Sequence, residues 1–212
     1  MRNSTEDKIK IALIRHGETS VNFEKRYCGK RSDLELAKEG IVSLTEKKEE
    51  GLYPEAKILF ASRKKRALQT AGILYPKLEP IVIEDFDEID FGDFEGKNYA
   101  DLKDNPDYQK WIDSNGEDAF PGGESKKAYC ERVSAAFLKA LDIYIDSPSY
   151  EKNGAGEKEA DIAIVAHGGT IMAILSVFAG LNYYDCIVKN GKGYIVELTL
   201  DKKNDMRIVD KL

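Results

Sequence analysis

The stretch 9-IKIALIRHGETSVN-22 decides how this chain is read. An apolar run, Ile11 to Ile14, leads directly into Arg15 and His16, and then into Gly17 and small polar residues. This is the layout of a strand that delivers polar side chains to its carboxyl end, where open α/β sheets bind their ligands. A second stretch repeats it: 161-DIAIVAH-167 is again an apolar run ending in histidine, followed by Gly168, Gly169 and Thr170. The chain has two histidines in all, and both stand in this setting. A lone histidine after a strand is most often structural; two of two point to a site.

Outward from these stretches, strand and helix patterns alternate. Lys57 to Ala61, KILFA, reads as a short buried strand, with Ser62 placed to cap a helix that runs to Leu74 and stops before Pro76. Pro80 to Asp85 reads as another strand, followed by an acidic, glycine-containing loop from Phe86 to Gly96. Leu34 to Leu52 suits a surface helix started or interrupted near Gly40 and ended by Pro54. One or two short helices fall between Asn98 and Ile112, and a loop spans Ser114 to Ser125. Glu124 to Asp146 is the clearest helix, with Tyr129, Val133, Phe137, Leu141 and Ile145 forming a core-facing stripe. Residues 147–160 read as a mobile surface insertion. Asn190 and Gly191 mark a turn, and Tyr194 to Leu200 alternates as a half-exposed strand that Met206 to Val209 can join as an edge hairpin. The pattern predicts an α/β fold over a single domain, residues 1–212: a three-layer α/β/α sandwich with a mostly parallel sheet and an antiparallel edge.

Composition narrows the function classes. With 42% hydrophobic and 33% charged residues the chain reads as a soluble globular protein, and its net charge of -6 argues against a broad nucleic-acid surface. The longest apolar stretch, Ile171 to Leu181, is too short for a membrane span, and the first ten residues lack the apolar core of a secretory signal. Cys28, Cys130 and Cys186 have no metal-ligand spacing and read as reduced thiols of a cytoplasmic protein.

Several blocks in order complete the picture: Arg15-His16-Gly17-Glu18-Thr19 with Asn22, Ser62 with Arg66-Ala67 and Gln69-Thr70-Ala71, Glu88 before Phe91-Gly92, Pro121-Gly122-Gly123-Glu124-Ser125, and Ala166-His167-Gly168. Together they resemble the histidine phosphatase superfamily, also called phosphoglycerate mutase-like. The resemblance implies that His16 is a nucleophile forming a phosphohistidine, with Arg15 and Arg66 gripping the phosphate, His167 and the Gly168 N–H donating to its oxygens, and Asn22 as a further donor. It implies Glu88 as the acid/base; spacing alone does not choose it over Glu84, Asp85, Asp87, Asp90, Asp93 or Glu95.

Elementary chemistry fits these roles. A phosphoryl group carries negative charge on three oxygens, so its transfer needs fixed cations and N–H donors and an in-line nucleophile. Forked guanidinium donors suit this better than lysine. Of the run Arg63-Lys64-Lys65-Arg66, only Arg66 is expected to turn inward. Phe23, Tyr27 and Trp111 are candidates for an apolar wall. The chain departs from the family at Arg63, where an aspartate is usual, and after Gly40, where the usual glutamine and alanine are lacking.

The favoured reading is a phosphomonoesterase that needs no metal or other cofactor and acts on a small phosphorylated metabolite. The Glu88 and PGGES segments look like the α-ribazole phosphatase and broad-specificity branches. A cofactor-dependent phosphoglycerate mutase and a non-catalytic phosphate-binding regulator are the alternatives. The segment after Glu88 is poor in the cations a mutase needs for a second anionic group, Lys97, Lys103 and Lys110 being outnumbered by acids.

Overall fold

A computed structural model describes residues 7–151, 156, 159–202 and 204–212. In chain order the described α-helices are α1 (Ser20–Phe23), α2 (Lys38–Glu49), α3 (Lys65–Leu74), α4 (Tyr99–Leu102), α5 (Pro106–Asp113), α6 (Lys126–Ile145) and α7 (Gly168–Phe178). The strands β1 (Lys8–Arg15), β2 (Glu55–Ala61), β3 (Ile81–Val82), β4 (Glu159–Ala166), β5 (Gly193–Thr199) and β6 (Met206–Lys211) form one sheet in the order β3-β2-β4-β1-β5-β6. β1 (Lys8–Arg15) lies inside it, parallel to β4 (Glu159–Ala166) and antiparallel to β5 (Gly193–Thr199). β2 (Glu55–Ala61) runs parallel to β4, and the short β3 (Ile81–Val82) parallel to β2. β6 (Met206–Lys211) closes the antiparallel edge against β5. The expected mixed sheet is therefore present, with both antiparallel pairings on one side of β1.

The period of two in β1 explains the layering. Ile9, Ile11 and Leu13 enter one core, and Ala12 and Ile14 enter a second on the other face. The first core is covered by α6 (Lys126–Ile145) and α7 (Gly168–Phe178), through residues such as Val133, Phe137 and Ile174. The second is covered by α2 (Lys38–Glu49) and α3 (Lys65–Leu74), through Leu44, Ala67, Ala71 and Leu74. Each fully buried Ile or Leu contributes about 1.5–3 kcal/mol. The alanines of the second core, Ala12, Ala61, Ala67, Ala71 and Ala163, let α3 lie close to the sheet, and its first turn carries Arg66 to the strand ends.

After β1 the chain turns to the α2/α3 face, and after β4 to the α7 face. Adjacent parallel strands whose connections leave on opposite faces open a crevice at their carboxyl ends. His16 follows β1 directly and His167 follows β4, so both stand at this switch point.

Several boundaries differ from the sequence expectation, for physical reasons. The helix expected over 34–52 is only α2, closed by Gly51 at φ 75° and not by Pro54; Leu36 is buried ahead of it, while Ile41 is exposed. On α6, Tyr144 is buried and Ile145 is not, because a helical turn of 3.6 residues outruns a spacing of four. The residue that caps α3 is Lys64, and Ser62 has a different task. α7 begins at Gly168. Between Pro80 and Asp85 only Ile81 and Val82 pair as strand. Of the expected insertion at 147–160, residues 152–155, 157 and 158 lie outside the described set.

Candidate active site

His16 is 4% exposed and held from several sides. Its N–H donates to Ala166 O at 2.9 Å, extending the β1–β4 ladder past the strand. Its own carbonyl accepts from Gly191 N and from Asn190 Nδ2, both at 3.1 Å. The ring Nδ1 lies 2.6 Å from Gly17 O. A carbonyl can only accept, so Nδ1 carries the hydrogen and Nε2 keeps its lone pair. Gly17 is fixed in turn by its N–H to Thr70 Oγ1 at 3.0 Å, and Thr70 donates to Arg66 O at 2.7 Å. Burial first, and then the charges of Arg66 and Arg15, hold the His16 pKa well below the usual imidazole range, so the ring is neutral at pH 7.

Arg15 and Arg66 converge here without a carboxylate to pair with among the described residues. Arg15 Nη1 donates to Val188 O at 2.7 Å; the fully buried Arg66 donates from Nη1 to Ser32 O at 2.8 Å and from Nη2 to Gly29 O at 3.3 Å. Those carbonyls orient the guanidinium groups without neutralising them. Only six buried side-chain polar atoms of the described residues lack a hydrogen-bond partner, and three of them are Arg15 Nε, Arg66 Nε and His167 Nδ1. His167 caps α7, and its ring meets that of His16 edge-on with centroids 5.2 Å apart. A Cβ added to Gly168 would touch Arg15 Nε at 3.4 Å, which places that guanidinium across the first residue of α7. Buried cations, unused donors and a helix N-terminus in one corner make an anion site.

Glu88 is 8% exposed and is fixed by three donors. Oε1 accepts from Tyr129 OH at 2.7 Å and from Ile89 N at 3.0 Å, and Oε2 accepts from Gly169 N at 3.1 Å. Gly169 leaves room for this carboxylate: a Cβ there would sit 2.3 Å from Glu88 Oε1 and would force it to shift. The neighbouring acids have other work. Glu84 pairs with Arg63, Asp90 with Arg31, and Glu95 accepts from Gly29 N and Ser32 Oγ, while Asp85 and Asp93 are exposed. Asp87 is buried, but it faces Ser62 and Arg63. Glu124, from the PGGES loop, clamps the segment: it accepts from Asp90 N and, at 2.8 and 2.9 Å, from Nη2 and Nε of Arg132. Burial pushes the Glu124 carboxyl up, but Arg132 and the Asp90 N–H outweigh it and hold the pKa below the usual carboxylate value.

Glu88 and Gly169 also line a cavity of about 190 Å³ whose other walls include Tyr27, Phe91, Trp111, Phe120, Tyr183 and Tyr184. Trp111 stacks on Phe120 with centroids 4.8 Å apart and planes at 29°. Lys126 enters the lining with its Nζ 5.4 Å from the Tyr184 ring centroid and is paired with Glu117. Tyr27 and Trp111 thus stand in the expected wall, but Phe23 is 54% exposed and not part of it.

Around two predicted residues the structure adds what the sequence did not show. Asn22 closes a capping box with Thr19: its Oδ1 accepts from Thr19 N and Oγ1, each at 2.9 Å, and from Asn190 Nδ2 at 3.3 Å. That amide oxygen organises the loop after His16. Arg66 is not alone in turning inward, because Lys64 is only 7% exposed and reaches Lys30 O and Asp87. Sequence reasoning also left Tyr129, Thr70 and Asn190 without functional roles. Tyr129 had a signal: a tyrosine in a buried stripe must find a partner for its hydroxyl.

Among the described residues no group of His, Cys, Asp and Glu is arranged to hold a metal ion, and no helix is long and apolar enough to cross a membrane. Phosphoglycerate mutase-like protein 4 of Arabidopsis thaliana is 33% identical over 176 residues, covering 79% of this chain and 70% of its own. The uncharacterized phosphatase PhoE of Bacillus subtilis is 28% identical over 176 residues, covering 80% of this chain and 77% of its own. The crystal structure of the α-ribazole phosphatase from Shigella flexneri superimposes with a TM-score of 0.74 over 94% of both chains at 23% identity, a likeness of fold. The family model of the histidine phosphatase superfamily (branch 1) matches residues 11–209, and the chain belongs to that superfamily.

Proposed function

We propose that this protein is a phosphomonoesterase that transfers the phosphoryl group of a small phosphorylated metabolite to His16 and then to water. The observation that carries the reading is the neutral His16 ring, its Nδ1–H spent on Gly17 O and its Nε2 lone pair free, beside two unneutralised guanidinium groups. In the first step Nε2 attacks phosphorus, the ester P–O bond breaks, and Glu88 delivers a proton to the leaving oxygen. In the second, water gives a proton to Glu88 and attacks phosphorus, the P–N bond breaks, and His16 is regenerated. Arg15, Arg66, His167 and the Gly168 N–H hold the phosphoryl oxygens throughout.

The leaving group lies on the Glu88 side, against the aromatic cavity. Walls of Trp111, Phe120, Tyr183 and Tyr184 suit a planar apolar group, as in α-ribazole 5'-phosphate, over a short polyanion. The three free thiols suit a reducing compartment such as the cytoplasm. Lys126 is the observation that favours a mutase, since it is a cation in the cavity lining; Glu117 already neutralises it.

The test follows two products. Incubation with an aryl phosphate in the presence of a chelator is expected to release phosphate. Incubation with 3-phosphoglycerate, with and without 2,3-bisphosphoglycerate, is expected to give more phosphate than 2-phosphoglycerate. Bisphosphate-dependent 2-phosphoglycerate formation that outpaces phosphate release would establish the mutase, and activity lost on chelation and restored by Mg²⁺ or Zn²⁺ would remove the metal-free mechanism.

A further inference from the structure

Ser62 stands between His167 and a buried carboxylate. Its Oγ is 2.8 Å from His167 Nε2 and 2.8 Å from Asp87 Oδ1, and it accepts from Lys64 N at 3.3 Å. All three residues are buried, Ser62, Asp87 and His167 each at 0% exposure. The other Asp87 oxygen accepts from Arg63 Nε at 2.8 Å, with Lys64 Nζ at 3.7 Å.

A serine hydroxyl has one hydrogen and two lone pairs. A carboxylate oxygen 2.8 Å away can only accept, so the hydrogen must go to Asp87, because the reverse arrangement would face lone pairs with lone pairs. Both Ser62 lone pairs then take donors, Lys64 N and His167 Nε2. His167 Nε2 therefore carries a hydrogen. In the neutral ring this leaves Nδ1 as a bare lone pair, and Nδ1 is the buried atom with no protein partner.

That tautomer cannot donate to a phosphoryl oxygen until Nδ1 gains a proton. Burial first, and then Arg66, His16, Arg15 and Lys64, oppose the cation in the free protein. A bound phosphoryl dianion reverses that field from one side, and Asp87, reached through Ser62, supports the cation from the other. We propose that Asp87, acting through Ser62, is a positioning residue that fixes the His167 tautomer and makes the ring a cationic double donor once phosphate binds. One proton enters from solvent with each dianion bound. This rests on the reading that His167 holds the phosphoryl group, although the tautomer of the free protein does not.

With only two imidazoles in the chain, long-range ¹H–¹⁵N spectra resolve the protonation of each. Free wild-type protein should show His167 as the Nε2–H tautomer, and saturating inorganic phosphate at pH 7 should protonate both of its nitrogens. In Asp87→Asn, Arg63 and Lys64 will claim the amide oxygen and turn the NH₂ group towards Ser62. The serine hydroxyl then donates to Nε2, and His167 switches to Nδ1–H, by the logic known for an orienting aspartate changed to asparagine. This variant should stay neutral with phosphate, and the inhibition constant for phosphate should rise about tenfold. Ser62→Thr, which keeps the hydroxyl, should retain the wild-type spectrum, and the His16 Nδ1–H signal reports an intact fold. Should Asp87→Asn fail to fold, Ser62→Ala, which cuts the connection, should lose the phosphate-bound cation. An Nδ1–H tautomer in the free wild type, or a phosphate-bound cation that survives in every folded variant lacking the connection, overturns the proposal. A wild type that shows these spectra but hydrolyses no ester would defeat the phosphatase reading and leave the tautomer assignment standing.

Discussion

The anion corner and the aromatic cavity share Glu88 and Gly169 as a wall, yet they are built on opposite rules. The corner hangs from the ends of adjacent strands and the first turns of α3 and α7, and its side chains are held from behind while Arg15 Nε, Arg66 Nε and His167 Nδ1 are left without a protein partner. The cavity is assembled from loops and short helical turns at Tyr27, Phe91, Trp111, Phe120 and Tyr183–Tyr184, held by ring packing. Rigid strand ends fix where charge sits, and a loop-built wall fixes only what shape fits. Chemistry and choice of leaving group should therefore separate under mutation.

The corner should fail first and most severely. His16→Ala is expected to lower kcat by about 10⁴-fold or more and to abolish any acid-labile, base-stable phosphoenzyme. Phosphate trapped on a cysteine or carboxylate would relocate the nucleophile. Arg66→Lys keeps the charge but loses the fork, and a fall of about 10²–10³-fold in kcat/KM is expected. A change below tenfold would show that charge alone suffices.

The cavity should respond differently. Trp111→Ala is expected to raise KM for an aryl phosphate about tenfold, with kcat and inhibition by inorganic phosphate nearly unchanged. A loss confined to kcat would mean that the two regions are coupled and the comparison is wrong.

The smallest effects are on stability, and their pH windows differ in cause. His16 and His167 are held neutral when folded but protonate near 6.5 when unfolded, so their penalty is absent above that pH and grows as pH falls below it. Glu124, with its pKa depressed below 4.5, contributes stability that is full above that value and lost as pH drops through the depressed one. In thermal melts from pH 7.5 to 3.5, Glu124→Gln should cost about 1 kcal/mol at neutral pH and flatten only the lower decline. Saturating phosphate should flatten the upper one. Identical profiles in the variant and the wild type would remove Glu124 as the clamp of the Glu88 segment.

The same contrast explains what could be read without coordinates. An apolar run ending in Arg15-His16 or in His167 writes strand, boundary and polar terminus into a few adjacent letters, so the sheet and the phosphate corner were legible. Ser62 looked like a helix cap because a serine before a helix usually is one; its link to Asp87 and His167 joins residues 25 and 105 positions apart, which no local pattern encodes. The cavity was hardest to foresee. Tyr27 and Trp111 could be suspected as aromatics near the motifs, but Tyr183, Tyr184 and Lys126 are brought in by tertiary packing alone, and Phe23 is as aromatic as any of them yet turns to solvent.

The place of β1 in the sheet also bears on how the protein is made. Among the described strands it is the first in the chain, and its two neighbours are the fourth and fifth: Lys10 N meets Asp161 across 151 positions, and Lys8 meets Glu197 across 189. Contacts so distant in sequence slow folding, and an unpaired apolar strand is a hazard while it waits. Until β4 and β5 have been made, Ile9 to Ile14 has neither partner strand, and over that interval the nascent chain is most exposed to aggregation and to chaperone capture.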